Sequence, residues 1–159
     1  TEEEESERRQ IEFKEKSAIL IDLLDVEDVI AQLLVTEGYV TIESIVSETP
    51  ENLEKIEGFD SDLANEIISR AKNSMKEQTE EDTKIVNEKI QDTDLKDLNG
   101  MTIAMLALLA KENIVNLNDF ADLASYELID KEEGIFRKLE LDEDLVNQMI
   151  MDAREKCFS

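Results

Sequence analysis

Residues 52–71 have the sequence Asn52-Leu-Glu-Lys-Ile-Glu-Gly-Phe-Asp-Ser-Asp-Leu-Ala-Asn-Glu-Ile-Ile-Ser-Arg-Ala71. Apolar residues recur every three or four positions on both sides of Gly58, which predicts two amphipathic helices separated by a tight turn. Asp60 or Ser61 can cap the second helix, because short side-chain oxygens accept hydrogen bonds from the free amides of a first turn. The stretch therefore predicts a hairpin of two helices.

This hairpin has the outline of a helix-hairpin-helix motif, a unit that usually holds nucleic-acid phosphates. Its turn is acidic, because Glu57 precedes Gly58 and both Asp60 and Asp62 follow it. A phosphate group would meet repulsion there instead of the basic side chains that release counterions. We therefore expect the turn to bind a basic protein surface.

The chain as a whole is strongly acidic. Of its 159 residues, 41 are Asp or Glu and 17 are Lys or Arg, which gives a net charge of −24 without any histidine. Such a surface repels nucleic acids and anionic membranes and attracts basic proteins. Because 41% of the residues are hydrophobic and fall in periodic stripes, the composition is not that of a disordered chain. A single proline, four glycines and few aromatic residues indicate an all-helical chain.

The longest apolar run, residues 101–110, is about half of the ~20 residues that span a bilayer. The chain opens with Thr1 and a run of glutamates, which is not a signal peptide. Its single cysteine excludes an internal disulfide and fits a reducing compartment. We expect a cytoplasmic, monomeric protein, and the start without methionine suggests a piece of a longer one.

Cap residues predict where the other helices of the first half begin and end. Asp25 can cap a helix that Gly38 ends in the C′ position. Thr41 can cap the next helix. Thr49 followed by Pro50 is a strong start signal, because proline is favoured in the first helical position. About five short helices are expected before residue 76.

The second half repeats the first at a fixed offset. An offset of 75 residues relates apolar positions 26, 29, 30, 33 and 34 to positions 101, 104, 105, 108 and 109. From Phe59 onward the offset is 82, so seven residues are inserted within 121–139, where a surface loop is expected. Gly38 becomes Asn113, which can keep a left-handed C-cap. Gly58 becomes Glu140, so we expect the second hairpin to use another backbone solution.

These patterns predict an all-α fold of two tandem small five-helix helix-hairpin-helix (SAM-like) domains. The expected boundaries are a charged lead-in over 1–17, a first acidic repeat domain over 18–75, a linker over 76–93 and a second acidic repeat domain over 94–159. The linker could continue the preceding helix or stay flexible.

Enzymatic chemistry has no recognisable residues in this sequence. There is no histidine, and no serine or cysteine lies in a nucleophile setting. The acidic segment that begins at Asp142 lacks the glycine and the final glutamate of a calcium-binding loop. Cys157 continues a buried stripe and is expected to be a small core residue. We expect no catalytic residue, metal or cofactor.

The candidate partner-binding residues lie in the two hairpin turns. They are Glu57, Gly58, Phe59, Asp60 and Asp62 in the first copy, and Glu140, Leu141, Asp142, Glu143 and Asp144 in the second. Phe59 and Leu141 have two open interpretations: each is either an exposed hydrophobic anchor for a partner or a plug in its own core.

Four segments together make the sequence resemble the C-terminal acidic-repeat region of the bacterial transcription factor NusA, in its alphaproteobacterial type. They are Glu2-Glu-Glu-Glu-Ser-Glu-Arg-Arg-Gln10, Val29-Ile-Ala-Gln-Leu-Leu-Val-Thr-Glu-Gly38, Ile56-Glu-Gly-Phe-Asp60 and Asp152-Ala-Arg-Glu-Lys-Cys157. The resemblance spans nearly the whole chain and involves both repeats, which is more specific than one helix-hairpin-helix motif.

The resemblance implies a non-catalytic module that regulates transcription elongation, termination and antitermination by contacting RNA polymerase through the C-terminal domain of its α subunit. NusG and the RNA-binding modules of the parent protein, which the acidic repeats mask in some members, are further implied partners. Direct nucleic-acid binding by this fragment is not expected. The alternative is a DNA-binding tandem helix-hairpin-helix module of a repair or recombination protein, which a gel shift at low salt separates from the first interpretation.

Overall fold

The computed structural model describes residues 1–158, and over these residues it contains ten α-helices, one 3₁₀-helix and no strand. The predicted all-α class is confirmed. The chain divides into two compact units, Thr1–Gln78 and the part from Thr79 onward.

The helices of the first unit follow the predicted cap signals in most places. They are α1 (Glu2–Leu24), α2 (Asp28–Thr36), α3 (Ile42–Val46), α4 (Pro50–Leu53) and α5 (Ser61–Lys89). Thr41 accepts a hydrogen bond from the Ser44 amide at 3.2 Å, and Thr49 precedes Pro50 at the start of α4. Gly38 follows the end of α2 with φ of 93°. These predictions are confirmed.

The role predicted for Asp25 is wrong. It does not cap the start of α2; it ends α1 in the left-handed region, with φ of 53°, and its amide donates to the Ile21 carbonyl. The N-cap of α2 is Glu27, whose side chain makes no capping hydrogen bond. Sequence alone does not separate the two roles, because aspartate is favoured both at N-caps and, among non-glycine residues, in the left-handed region.

The second unit contains the remaining helices. They are α6 (Thr93–Lys96), α7 (Ile103–Lys111), α8 (Leu117–Ala121), α9 (Ser125–Ile129), the 3₁₀-helix Arg137–Leu139 and α10 (Glu143–Phe158). Three starts lie 75 residues after their counterparts α2, α3 and α4, and α10 starts 82 residues after α5. The internal repeat of the sequence is therefore a repeat of helices.

The inserted residues fall between α9 and α10. Phe136 in this segment is 1% exposed, and its amide donates to the Leu128 carbonyl at 2.8 Å. The Ile135 amide donates to the Glu127 carbonyl at 3.0 Å. The insertion is thus tied to α9 and contributes a large side chain to the core of the second unit.

Residues 76–89, which the sequence interpretation assigned to the linker, are the end of α5. Val86 and Ile90 are 2% and 0% exposed and belong to the core of the second unit. Each unit buries its own apolar cluster. The first contains Leu20, Leu24, Ala31, Leu34, Ile45, Leu53, Ile56, Phe59, Ala64, Ile67, Ile68 and Ala71. No helix among residues 1–158 is long and apolar enough to cross a membrane.

Candidate functional site

The first acidic turn, residues 57–62, joins α4 to α5 with Gly58 in the left-handed region at φ of 90°. Glu57, Asp60 and Asp62 are exposed. No lysine or arginine lies within these six residues. The predicted acidic character of the turn is therefore also a property of its accessible surface.

Phe59 points away from that surface. It is 6% exposed and belongs to the apolar cluster of the first unit. The sequence left open whether Phe59 is an exposed anchor or a core residue. In the structure it is a core residue. A partner at the first acidic turn would contact carboxylates and the backbone around Gly58, without a phenylalanine anchor.

One amide at the start of α5 is engaged by a side chain of the same turn. The Leu63 amide donates to Asp60 Oδ1 at 2.8 Å. In a phosphate-binding hairpin, free amides at a helix start would bind the anion, with support from the helix dipole. Here a carboxylate of the same turn already occupies this position, so a phosphate would have to displace it.

The second acidic turn, residues 140–144, precedes α10. Glu140, Asp142, Glu143 and Asp144 are exposed. The Asp144 amide donates to Asp142 Oδ1 at 3.3 Å. Asp142, the counterpart of Asp60, thus accepts from the amide two residues later, whereas Asp60 accepts from the amide three residues later. Both acidic turns therefore place an aspartate over the start of the following helix.

The sequence predicts a different backbone conformation at Glu140 than at Gly58, and this prediction is wrong. It lies in the left-handed region with φ of 50° and ψ of 50°, as Gly58 lies there in the first turn. A non-glycine residue costs roughly 1–2 kcal/mol in this region. The left-handed position of the turn is thus retained, and a glutamate occupies it at a cost. Leu141 is half-buried against the core of its unit, so part of its side chain stays accessible.

A groove on the second unit was missed by the sequence analysis. It has a volume of about 410 Å³ and lies between residues 97–99 and the last turns of α10. The lining residues are Asp97, Leu98, Asn99, Asp152, Glu155 and Lys156. The sequence offers one signal at this place. At the 82-residue offset Arg70 corresponds to Asp152, so the charge at this position of the repeat is inverted.

Residues 1–158 contain no group of three or more potential protein ligands that could hold a metal ion. Cys157 is half-buried and packs against the core of the second unit. Its thiol thus takes part in packing, as the sequence predicts.

The sequence of this chain matches one protein family and several known proteins. The family described as SAM-like helix-hairpin-helix tandem matches residues 17–73. The transcription termination/antitermination proteins NusA of Rickettsia conorii and Rickettsia prowazekii are 34% and 33% identical to this chain over 124 residues. The match covers 78% of this chain and 25% of each relative, on the C-terminal region of NusA. The chain therefore spans about a quarter of the length of these relatives. No solved structure matches.

Proposed function

This chain belongs to the C-terminal region of the NusA family, and from that premise we propose that it is a non-catalytic protein-binding module for transcription elongation, termination and antitermination. Its partner is RNA polymerase, contacted at the C-terminal domain of the α subunit. NusG and the RNA-binding modules of the parent protein are further candidates, and binding to the latter would mask them from RNA. The contact surfaces are the two acidic turns, one in each unit.

This proposal rests on the hydrogen bonds at the starts of α5 and α10. In both acidic turns an aspartate of the chain accepts a hydrogen bond from an amide in the first turn of the following helix. The other acidic side chains of each turn are exposed. A hairpin arranged in this way favours cationic proteins over nucleic acids.

The charge of the whole fragment supports the same conclusion. A net charge of −24 raises the association rate with a basic protein and lowers it with a polyanion, and salt screens both effects. Binding through exposed carboxylates is therefore expected to be weak and to weaken further as salt increases. The same field would let the fragment compete with RNA for a basic surface of the parent protein.

Chemical-shift mapping of the ¹⁵N-labelled chain with the isolated C-terminal domain of the polymerase α subunit tests the proposal. We expect shifts centred on residues 57–62 and 140–144. A variant that carries Glu57→Gln, Asp62→Asn, Glu143→Gln and Asp144→Asn should lose most of them. It leaves Asp60 and Asp142 in place, so both helix starts stay capped.

A matched control removes the same number of negative charges elsewhere, by changing Glu2, Glu3, Glu7 and Glu12 of α1 to glutamine. All four side chains are exposed. Equal loss of binding in both variants would show that only net charge matters. Retention of DNA or RNA by the unmodified chain in a gel shift at ordinary salt would overturn the proposal.

A further inference from the structure

The segment between α6 and α7 contains the dipeptide Asn99-Gly100, and Asn-Gly occurs once in this chain. Both residues are exposed. They are the two central residues of a turn, because the Met101 amide donates to the Leu98 carbonyl at 3.0 Å. Gly100 has φ of 89°, close to the value of the third residue in a type II turn. The dipeptide therefore lies in the middle of an accessible turn.

Two groups in this turn are free to react with each other. Neither the Gly100 amide nor the Asn99 side chain forms a hydrogen bond within residues 1–158. Glycine has no β-carbon, so its nitrogen can approach a neighbouring group closely and its φ can change sign at little cost. Type I and type II turns share their hydrogen bond and differ in the orientation of the central peptide. The Asn99–Gly100 peptide can therefore turn over while the hydrogen bond from Met101 remains.

We propose that Asn99 is a site of spontaneous deamidation. The Gly100 nitrogen gives its proton to the solvent and attacks the side-chain amide carbon of Asn99. A C–N bond forms and closes a cyclic imide, and the side-chain nitrogen takes up a proton and leaves as ammonia. One water molecule then opens the imide at either carbonyl, which gives aspartate or isoaspartate. Water is the only co-reactant, so the site does not depend on the proposed binding function.

The products change a surface of the second unit that is already acidic. Asn99 lines the groove described above, whose charged residues are Asp97, Asp152, Glu155 and Lys156. Either product adds one carboxylate to this groove. Isoaspartate also adds one carbon atom to the main chain directly after Leu98, which is 3% exposed and belongs to the core of the unit. Conversion should therefore destabilise the second unit and leave the first unchanged.

The first unit offers a matched turn without an asparagine. In the turn Ile56–Phe59, the Phe59 amide donates to the Ile56 carbonyl at 3.0 Å, and Gly58 has φ of 90°. The Gly58 amide, like that of Gly100, donates to no acceptor in the described part of the chain. The residue before it, Glu57, is exposed. Glu57→Asn therefore moves the dipeptide into an equivalent turn and should create a second deamidation site.

A helical asparagine supplies the internal control. Asn73 is followed by the small residue Ser74, but both lie inside α5, where each amide is bonded to the carbonyl four residues earlier. The nitrogen that would attack is thus engaged. Asn73 should remain intact in the folded chain and should react once the chain is unfolded in urea.

The test is incubation of the folded, ¹⁵N-labelled chain in warm, mildly alkaline buffer. We expect loss of the Asn99 side-chain amide signals and, in the peptide that contains Asn99, the mass gain of an NH₂ group exchanged for OH. An isoaspartate methyltransferase should then methylate the chain. Asn99→Gln, which would need a larger ring, should show neither change. Intact Asn99 signals after a synthetic peptide of residues 96–103 has been converted under the same conditions would overturn the proposal.

A second measurement follows the effect on stability. Anion exchange separates the converted chain by its added charge, and urea unfolding with amide exchange over α7 and α10 reports on the second unit. We expect a lower urea midpoint for the converted chain. Asn99→Asp adds the charge without the extra main-chain carbon, so it should lose less stability than the isoaspartate form. Equal stability of the converted and unconverted chains would contradict the predicted effect on the second unit.

Discussion

Gly58 and Glu140 occupy the same left-handed position in their respective turns, with φ of 90° and 50°. Two further pairs behave in the same way. Gly38 and Asn113 have φ of 93° and 62°, and Gly100 and Asp25 have φ of 89° and 53°. Each pair contains one glycine and one other residue, so the repeat keeps its turns while the residue type at each turn varies.

The first prediction is that Glu140→Gly stabilises the second unit by about 1 kcal/mol, because glycine adopts the left-handed region without the clash of a β-carbon. Urea unfolding followed by circular dichroism, with amide exchange over α10 to identify the unit, measures the effect. Glu140→Gln is the matched control: it removes the same charge and keeps the β-carbon, so we expect less than half of the gain. Equal gains in stability in the two variants would show that relief of charge repulsion, and not loss of the β-carbon, is the cause.

The second prediction concerns the start of α2, where Glu27 makes no capping hydrogen bond. Its counterpart Thr102 accepts from the Met105 amide at 3.2 Å. Glu27→Thr should therefore stabilise the first unit by about 1 kcal/mol, the usual value of an N-cap. Thr102→Ala should cost the second unit a similar amount. Thermal unfolding of both variants measures this, and a gain in Glu27→Ala as large as in Glu27→Thr would contradict the explanation.

The third prediction uses Ser17, which is 4% exposed and whose hydroxyl has no hydrogen-bond partner among residues 1–158. A buried hydroxyl without a partner costs about 1–3 kcal/mol. Ser17→Ala should therefore raise the free energy of unfolding by about 1 kcal/mol. Ser6→Ala, in the exposed part of the same helix, gives the same change in helix propensity, so the difference between the two variants measures the desolvation. No difference would show that the Ser17 hydroxyl is solvated.

Much of the fold could be predicted because the deciding signals are local. Thr41, Thr49 and Gly38 mark helix ends through hydrogen bonds and backbone preferences that depend on few neighbours. The repeat is visible because the same apolar spacing occurs twice. The apolar spacing of Val86 and Ile90 was also visible, but the polar residues around them hid that these two side chains belong to a core.

The candidate site depends on contacts that the sequence does not contain. The spacing of apolar residues could not decide whether Phe59 is an anchor for a partner or a core residue, because both roles require the same position on the hairpin. Glu140 was expected to change the turn, because its neighbours and not its own propensity hold it in the left-handed region. The groove beside Asp152 forms where residues 97–99 lie next to the end of α10, and the sequence does not show that these distant segments come together.

The last prediction starts from a group of hydrogen bonds around Glu48. Its Oε1 accepts from the Asn52 side chain at 2.6 Å and from the Thr49 amide at 3.0 Å, and its Oε2 accepts from the Tyr39 hydroxyl at 2.9 Å. The bond from Asn52 first, then those from Thr49 and Tyr39, lower the pKa of Glu48. Burial, followed by the bond to Glu48, raises the pKa of Tyr39.

The sign of the resulting pH dependence follows from the lowered pKa of Glu48. A carboxyl whose pKa is lower in the folded state stabilises that state above the unfolded pKa, about 4.3, and loses this contribution as the pH falls through the folded value. Tyr39→Phe removes one of the three hydrogen bonds, so the pKa of Glu48 should rise toward its ordinary value. A ¹³C NMR titration of the Glu48 carboxyl between about pH 2 and 7, in the unmodified chain and in the variant, measures it. An unchanged pKa in the variant would show that the tyrosine hydroxyl does not hold the carboxylate in solution.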